Sequence, residues 1–184
     1  MNEPTILGID NGNTGGVVAI SRVPGIPPIK MFPMPTRKYT RPGNPASKNK
    51  KAKIDKNWLE IDPDELSDRL SRIDQPEKMV AIFEECPDHA DMASIMRSMA
   101  MSSGVIIAVL TLLRIRVVRV LPREWQPAML GSEIPKGETK QRAEETAGYL
   151  WPTERWRASS RCSTPHTGLI DAALIAEFGR RRGL

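Results

Sequence analysis

Three carboxylate positions in this chain stand where a hydrolytic site would need them. Asp10 ends the apolar run ILGID, just ahead of a turn rich in Gly and Asn. Glu84 and Glu85 end a second apolar run, KMVAIFEE. Asp171 interrupts the stretch GLIDAALIAEFGRR. A carboxylate at the end of a buried strand is costly unless something positive meets it, and a bound metal ion is one answer. Oxygen ligands of this kind suit Mg2+ or Mn2+ rather than zinc. Two such ions about 4 Å apart can activate water and stabilise the leaving oxygen in phosphodiester hydrolysis. Each acid also has an ordinary reading: Asp10 as a turn-former, Glu84 as a solvated strand end, Asp171 as an exposed helix acid.

The elements that must position these acids follow from pattern. Residues about 5–10 and 15–22 read as a hairpin, and Pro28 to Met34 as a third strand whose prolines place it at an edge. Asp62-Pro63-Asp64-Glu65 reads as a helix start, with Asp62 as N-cap, Pro63 at the first helical position, and Leu66, Leu70 and Ile73 on the apolar side. Lys78 to Glu85 is a strand, and Asp91 to Leu113 a helix with a break near Gly104. Ile115 to Leu121 is another strand, and Pro122 to Leu130 and Glu138 to Leu150 are helices. His166 to Arg181 starts as a loop and continues as an amphipathic helix, with Leu169, Ala173, Leu174 and Phe178 buried. Three meandering strands followed by alternating helices and strands make an α/β fold with a mixed, five-stranded sheet covered by helices. At 184 residues the chain reads as one domain, residues 1–184.

The longest apolar run, Gly104 to Leu113, is too short to span a bilayer. The N-terminus lacks the pattern of a secretory signal, and two cysteines build no disulfide framework. A cytoplasmic location and no membrane partner are expected. The charge is concentrated. From Arg37 to Lys56 there are eight basic residues and one acid, a net +7 against +5 for the whole chain. Pro42, Gly43, Asn44 and Pro45 lie in the same stretch, so residues about 35–57 read as a flexible basic loop. It is either a solubilising surface or an arm for a polyanion, with Arg37, Lys38, Arg41, Lys48, Lys50, Lys51 and Lys53 meeting phosphates and Tyr39 available to stack on a base. Lys136 and Lys140, on or before a helix, are further candidates, as are Arg180, Arg181 and Arg182. Met92, Met96 and Met99 form a helical stripe whose default role is core packing. Trp125, Trp151 and Trp156 also read as packing residues.

Taken in order, ILGIDNGNTGG, AIFEECPDHADMASIMRSMAMSSGVIIAVL, IRVVRVLPREWQPAMLG, KGETKQRAEETAGYLWP and HTGLIDAALIAEFGRR resemble the RuvC-type Holliday junction resolvases. The likeness is nearest to the compact RuvC-like proteins of bacteriophages. The resemblance implies an RNase H-like fold, a homodimer whose interface can include the Met stripe, and cutting of branched, four-way DNA with two Mg2+ ions per site. It matches Asp10 to the first family carboxylate, Glu84 to the second, and Asp171 to the one on the last helix. By that resemblance the helix on or before which Lys136, Lys140 and Arg142 lie would face DNA, a solvated helix face being the ordinary alternative. The family supplies a further acid, or in some members a His, just upstream of the last-helix Asp. This chain reads PHTGLID there, which leaves His166 as the substitute, either a metal ligand or water-positioning group or simply a surface-loop His, with Thr167 as a simple helix cap. GIDNGNTGG also resembles the first phosphate loop of actin-like sugar kinases. The chain is short for their two domains, and a second glycine-rich phosphate loop is not found. A junction-binding protein without catalysis, and a nuclease of the same fold for other branched DNA or RNA–DNA hybrids, are the remaining alternatives.

Overall fold

The computed structural model describes residues 5–42, 46, 48, 56–86, 93–135 and 137–184. A mixed five-stranded sheet runs in the order β3-β2-β1-β6-β7, from β1 (Thr5–Asp10), β2 (Gly16–Ile20), β3 (Lys30–Pro33), β6 (Met79–Glu84) and β7 (Arg116–Val120). β1 pairs antiparallel with β2 and parallel with β6, and β6 pairs parallel with β7. β3 is an edge strand, in keeping with Pro33 at its end and Pro27 and Pro28 just before it.

Alternation along the strands sorts two cores. Ile6 and Val18 join Val80 and Ile82 on one face, beneath α3 (Pro122–Leu130), α4 (Thr139–Leu150) and α5 (Thr167–Arg181). Leu7, Ile9, Ala81 and Phe83 lie on the other face, beneath α1 (Pro63–Ser71) and α2 (Ala93–Leu112). The start of α1 forms as its residues dictate: the Asp62 carboxylate accepts from the Asp64 and Glu65 amides, and Leu66 and Leu70 are buried. Ile73 falls beyond the helix end and still packs on the core.

Four local readings change. The helix α2 runs unbroken through Gly104. Nothing lies within 4 Å of where a Cβ would stand there, so the glycine is not required by packing. The basic segment is not wholly a loop. Its ends pair as a separate two-stranded sheet, β4 (Thr36–Arg41) with β5 (Lys56–Ile61). Arg37, Lys38 and Arg41 are therefore strand residues, Lys48 is exposed between the strands, and Lys50, Lys51 and Lys53 lie outside the described residues. The helix α5 is not amphipathic. From Gly168 to Gly179 every residue but Asp171 is buried, because the helix is wedged between the sheet and α3 and α4. Lastly, Met96 and Met101 on α2 are exposed, so the Met stripe is not simply core, and Met92 lies outside the described residues.

Candidate active site

Sheet geometry brings the first two acids together. Parallel pairing of β1 with β6 matches Ile9 to Phe83, so the next step along both strands is Asp10 beside Glu84. Alternation places both on the face that carries Ile6 and Ile82, which α5 covers. Glu85 falls on the opposite side and pairs with Arg119 at 3.0 Å. Two side chains of the same type, adjacent in sequence, are thereby separated into different environments.

The third acid arrives on α5. This helix lies directly on β1 because Gly8 has no side chain. A Cβ there would stand 1.8 Å from the Ala172 carbonyl oxygen and 2.5 Å from the Ala176 amide. At the helix start Gly168 rests on the turn after β1, where a Cβ would meet the Thr14 carbonyl oxygen at 2.5 Å. The backbones touch at both points, and Asp171, between them, is held at the end of β1.

The electrostatics record the convergence. Burial pushes the Asp10 carboxyl well above its ordinary range, and the charges of Glu84 and Asp171 push it further. Asp10 keeps some exposed surface, yet enough protein surrounds it for desolvation to dominate. Glu84 is raised to about 7 by burial, with a hydrogen bond from Trp125 acting the other way and Asp171 adding to the rise. Asp171 is raised to about 6 by burial, and the cation of Lys140 on α4 holds it lower than burial alone would.

Two residues of this neighbourhood escaped the sequence reading. Trp125 reads as core, and it is buried, but its indole Nε1–H donates to Glu84 Oε2 at 2.7 Å. The general signal is that a buried indole N–H usually takes a partner, although nothing in the sequence says which. Lys140, read as a DNA contact, stands close enough to Asp171 to act on its ionisation. His166 takes a structural task. It is the N-cap of α5, and its Nδ1 accepts from the Leu169 amide at 3.3 Å. Thr167, the expected cap, is instead the first helical residue. An Nδ1 that accepts puts the neutral ring's proton on Nε2, which makes that nitrogen a donor in this arrangement.

Among the described residues no three carboxylate, imidazole or thiolate groups form a ready-made ligand cluster. The fit to a divalent cation therefore rests on donor chemistry. Three hard oxygen donors are each disfavoured as anions by burial, Asp10 and Glu84 further by neighbouring carboxylates, and a dication would offset those costs. The other candidate phosphate contacts divide. Arg37, Lys38, Lys48 and Lys140 are exposed, and Lys136 lies outside the described residues. Arg180 and Arg181 are engaged by the buried Glu177 at 2.6 and 2.8 Å, and Arg182 lies over the Phe178 ring. A cavity of about 550 Å3 lies elsewhere, lined by Glu144, Trp151, Trp156 and Pro165 among others, and includes none of the three acids. No helix among the described residues is long and apolar enough to cross a membrane.

No family model matches the chain, and no curated protein matches its sequence. Solved structures do match its fold. RuvC of Thermus thermophilus in complex with a Holliday junction substrate aligns with a TM-score of 0.56 at 13% identity, covering 98% of this chain and 97% of that one. Another Thermus thermophilus RuvC structure aligns with a TM-score of 0.53 at 14% identity, covering 97% of this chain and 96% of that one. The likeness runs nearly end to end, and the expected RNase H-like architecture is the one the chain adopts.

Proposed function

We propose that this chain is a metal-dependent, structure-selective DNA endonuclease that resolves four-way junctions. The observation that carries the reading is the placement of Asp10, Glu84 and Asp171, from three distant segments, near enough for the charges of the other two to act on Asp10, with each disfavoured as an anion. Carboxylates so strongly disfavoured as anions concentrate at functional sites. The end-to-end fold likeness to a junction-bound resolvase adds support at the level of fold.

In this reading Asp10, Glu84 and Asp171 would hold two Mg2+ ions, with Mn2+ as a substitute. When bound, the ions supply Lewis-acid activation of the attacking water and of the scissile phosphate. Trp125 holds Glu84 in one orientation through its 2.7 Å hydrogen bond. Lys140 offsets the charge of Asp171 and faces phosphate. His166, with Nδ1 occupied by the helix cap, acts through Nε2–H as a donor to a phosphate oxygen or water rather than as a ligand. Arg37, Lys38, Arg41 and Lys48, with Lys50, Lys51, Lys53 and Lys136, supply phosphate contacts. A homodimer, joined through the side of α2 that carries Met96 and Met99, would place two sites about a two-fold axis for paired nicks. Cutting leaves a 5′-phosphate and a 3′-hydroxyl. The setting is cytoplasm, bacterial or phage-infected.

The test compares a synthetic four-way junction with linear duplex, with and without Mg2+. Wild type cuts the junction in Mg2+ only, and Asp10→Asn binds it without cutting. Retained cutting by Asp10→Asn would remove that carboxylate from the site and end this reading.

A further inference from the structure

The hairpin β4–β5 carries an aromatic pair that the catalytic reading does not use. Tyr39 and Trp58 stand directly opposite each other across it. Opposed residues of an antiparallel pair project to the same face. Both are about half exposed, at 50% and 51%. The other tryptophans, Trp125, Trp151 and Trp156, are 1–5% exposed. Arg37, across from Glu60, flanks the aromatic pair on the same face, and Lys38 points from the reverse face.

An isolated two-stranded ribbon is marginal in water, and this one is fixed at its base. Ile61 is buried in the α1–α2 core, and the Asp62 amide donates to the Pro35 carbonyl at 2.9 Å. Asn13 ties the ribbon to the candidate active site. Its Nδ2 donates to the Leu59 carbonyl at 2.7 Å, while its Oδ1 accepts from Ser102 of α2 at 3.2 Å. Asn13 belongs to the turn that begins right after Asp10. The aromatic face is thus anchored to the same turn that follows the first carboxylate.

Two exposed aromatic rings want flat apolar partners, and the net +7 of residues 37–56 wants phosphates. Unpaired nucleotides offer both. Paired bases inside a duplex are already stacked and offer neither face. We propose that Tyr39 and Trp58 form a base-stacking platform for unpaired DNA nucleotides beside the cutting site. The proposal takes its substrate class from the nuclease reading. It goes beyond that reading by separating recognition of open bases, on the ribbon, from recognition of backbone charge.

The experiment uses the full chain in chelator, so that no cutting intervenes, with a 16-nucleotide oligo-dT and a blunt duplex of equal length as probes. Stacking on Trp58 quenches tryptophan emission with oligo-dT and not with duplex. Trp58→Phe abolishes that quench while retaining an aromatic ring and a wild-type melting curve. Tyr39→Ala and Trp58→Ala each weaken oligo-dT binding about tenfold, within the range for one stacked base, and leave the salt dependence unchanged. Arg37→Gln and Lys38→Gln flatten the salt dependence instead, by up to about 0.7 in log–log slope for each contact. A quench that survives in Trp58→Phe, equal losses on duplex, or a quench that depends on protein concentration without DNA would overturn the platform, the last assigning the face to a second copy of the chain. The two readings fail separately. Junction cutting without an oligo-dT quench strikes only the platform, whereas a Trp58-dependent quench in a chain that never cuts upholds the platform and strikes only the nuclease.

Discussion

Replacing Glu84 by Gln should make the protein more stable at alkaline pH while destroying its proposed activity. Glu84 is pushed from 4.5 up to about 7, mainly by burial. At about 1.4 kcal/mol per pH unit, keeping this acid ionised costs the folded chain on the order of 3 kcal/mol. The sign follows from linkage. Between pH 4.5 and about 7 the folded chain holds a proton that the unfolded chain has released. Stability is therefore full below that window and falls as pH rises through it. Gln is neutral throughout, and its carbonyl oxygen still accepts from the Trp125 indole. It also removes one of the charges that raise Asp10. In chelator, Glu84→Gln and wild type should melt alike near pH 4.5. At pH 8 the variant should be ahead by about 3 kcal/mol, or ~6–12 °C for a chain of this length. Urea or thermal denaturation across pH 4.5–8 measures it. Parallel curves for the two proteins would refute the claim that Glu84 is held at an ionic cost.

Three further outcomes follow from the same geometry. Trp125→Phe removes a hydrogen bond that favours the charged form of Glu84, a contact worth about 1.5–3 kcal/mol, so the window over which stability falls should extend upward by about one pH unit; an unchanged window would make Trp125 a packing residue only. Lys140→Gln should raise Asp171 above its value of about 6, steepening the stability loss on its alkaline side, as the same denaturation series would detect. Gly8→Ala sets a Cβ 1.8 Å from backbone that cannot yield, so a loss above about 4 kcal/mol is expected; a soluble variant with an unshifted urea midpoint would mean that α5 does not lie on β1 as described.

Much of the fold was legible because its signals are local. Asp62-Pro63 starts α1 through a side chain reaching its own neighbours, and the edge position of β3 is in keeping with the prolines at its end and just before it. The ribbon β4–β5 was missed because half of β4 is Lys or Arg and it pairs with β5 across a basic, loop-like stretch. Burial around α5 was underestimated for a related reason. Ala172 and Ala176 are small enough to fit a polar-looking face or a tight contact, and only Gly8 beneath them decides between the two.

The order of apolar runs, the positions of the three acids and the concentration of positive charge were settled by the amino-acid sequence alone, since each is a property of neighbouring residues. Which of Glu84 and Glu85 faces Asp10, what Trp125 donates to, that His166 spends one nitrogen on a helix cap, and that Trp58 lies opposite Tyr39 were decided only by tertiary structure. Strand register and backbone contact set those relations, and both depend on segments far apart in the chain packing against one another, where no local pattern records the outcome.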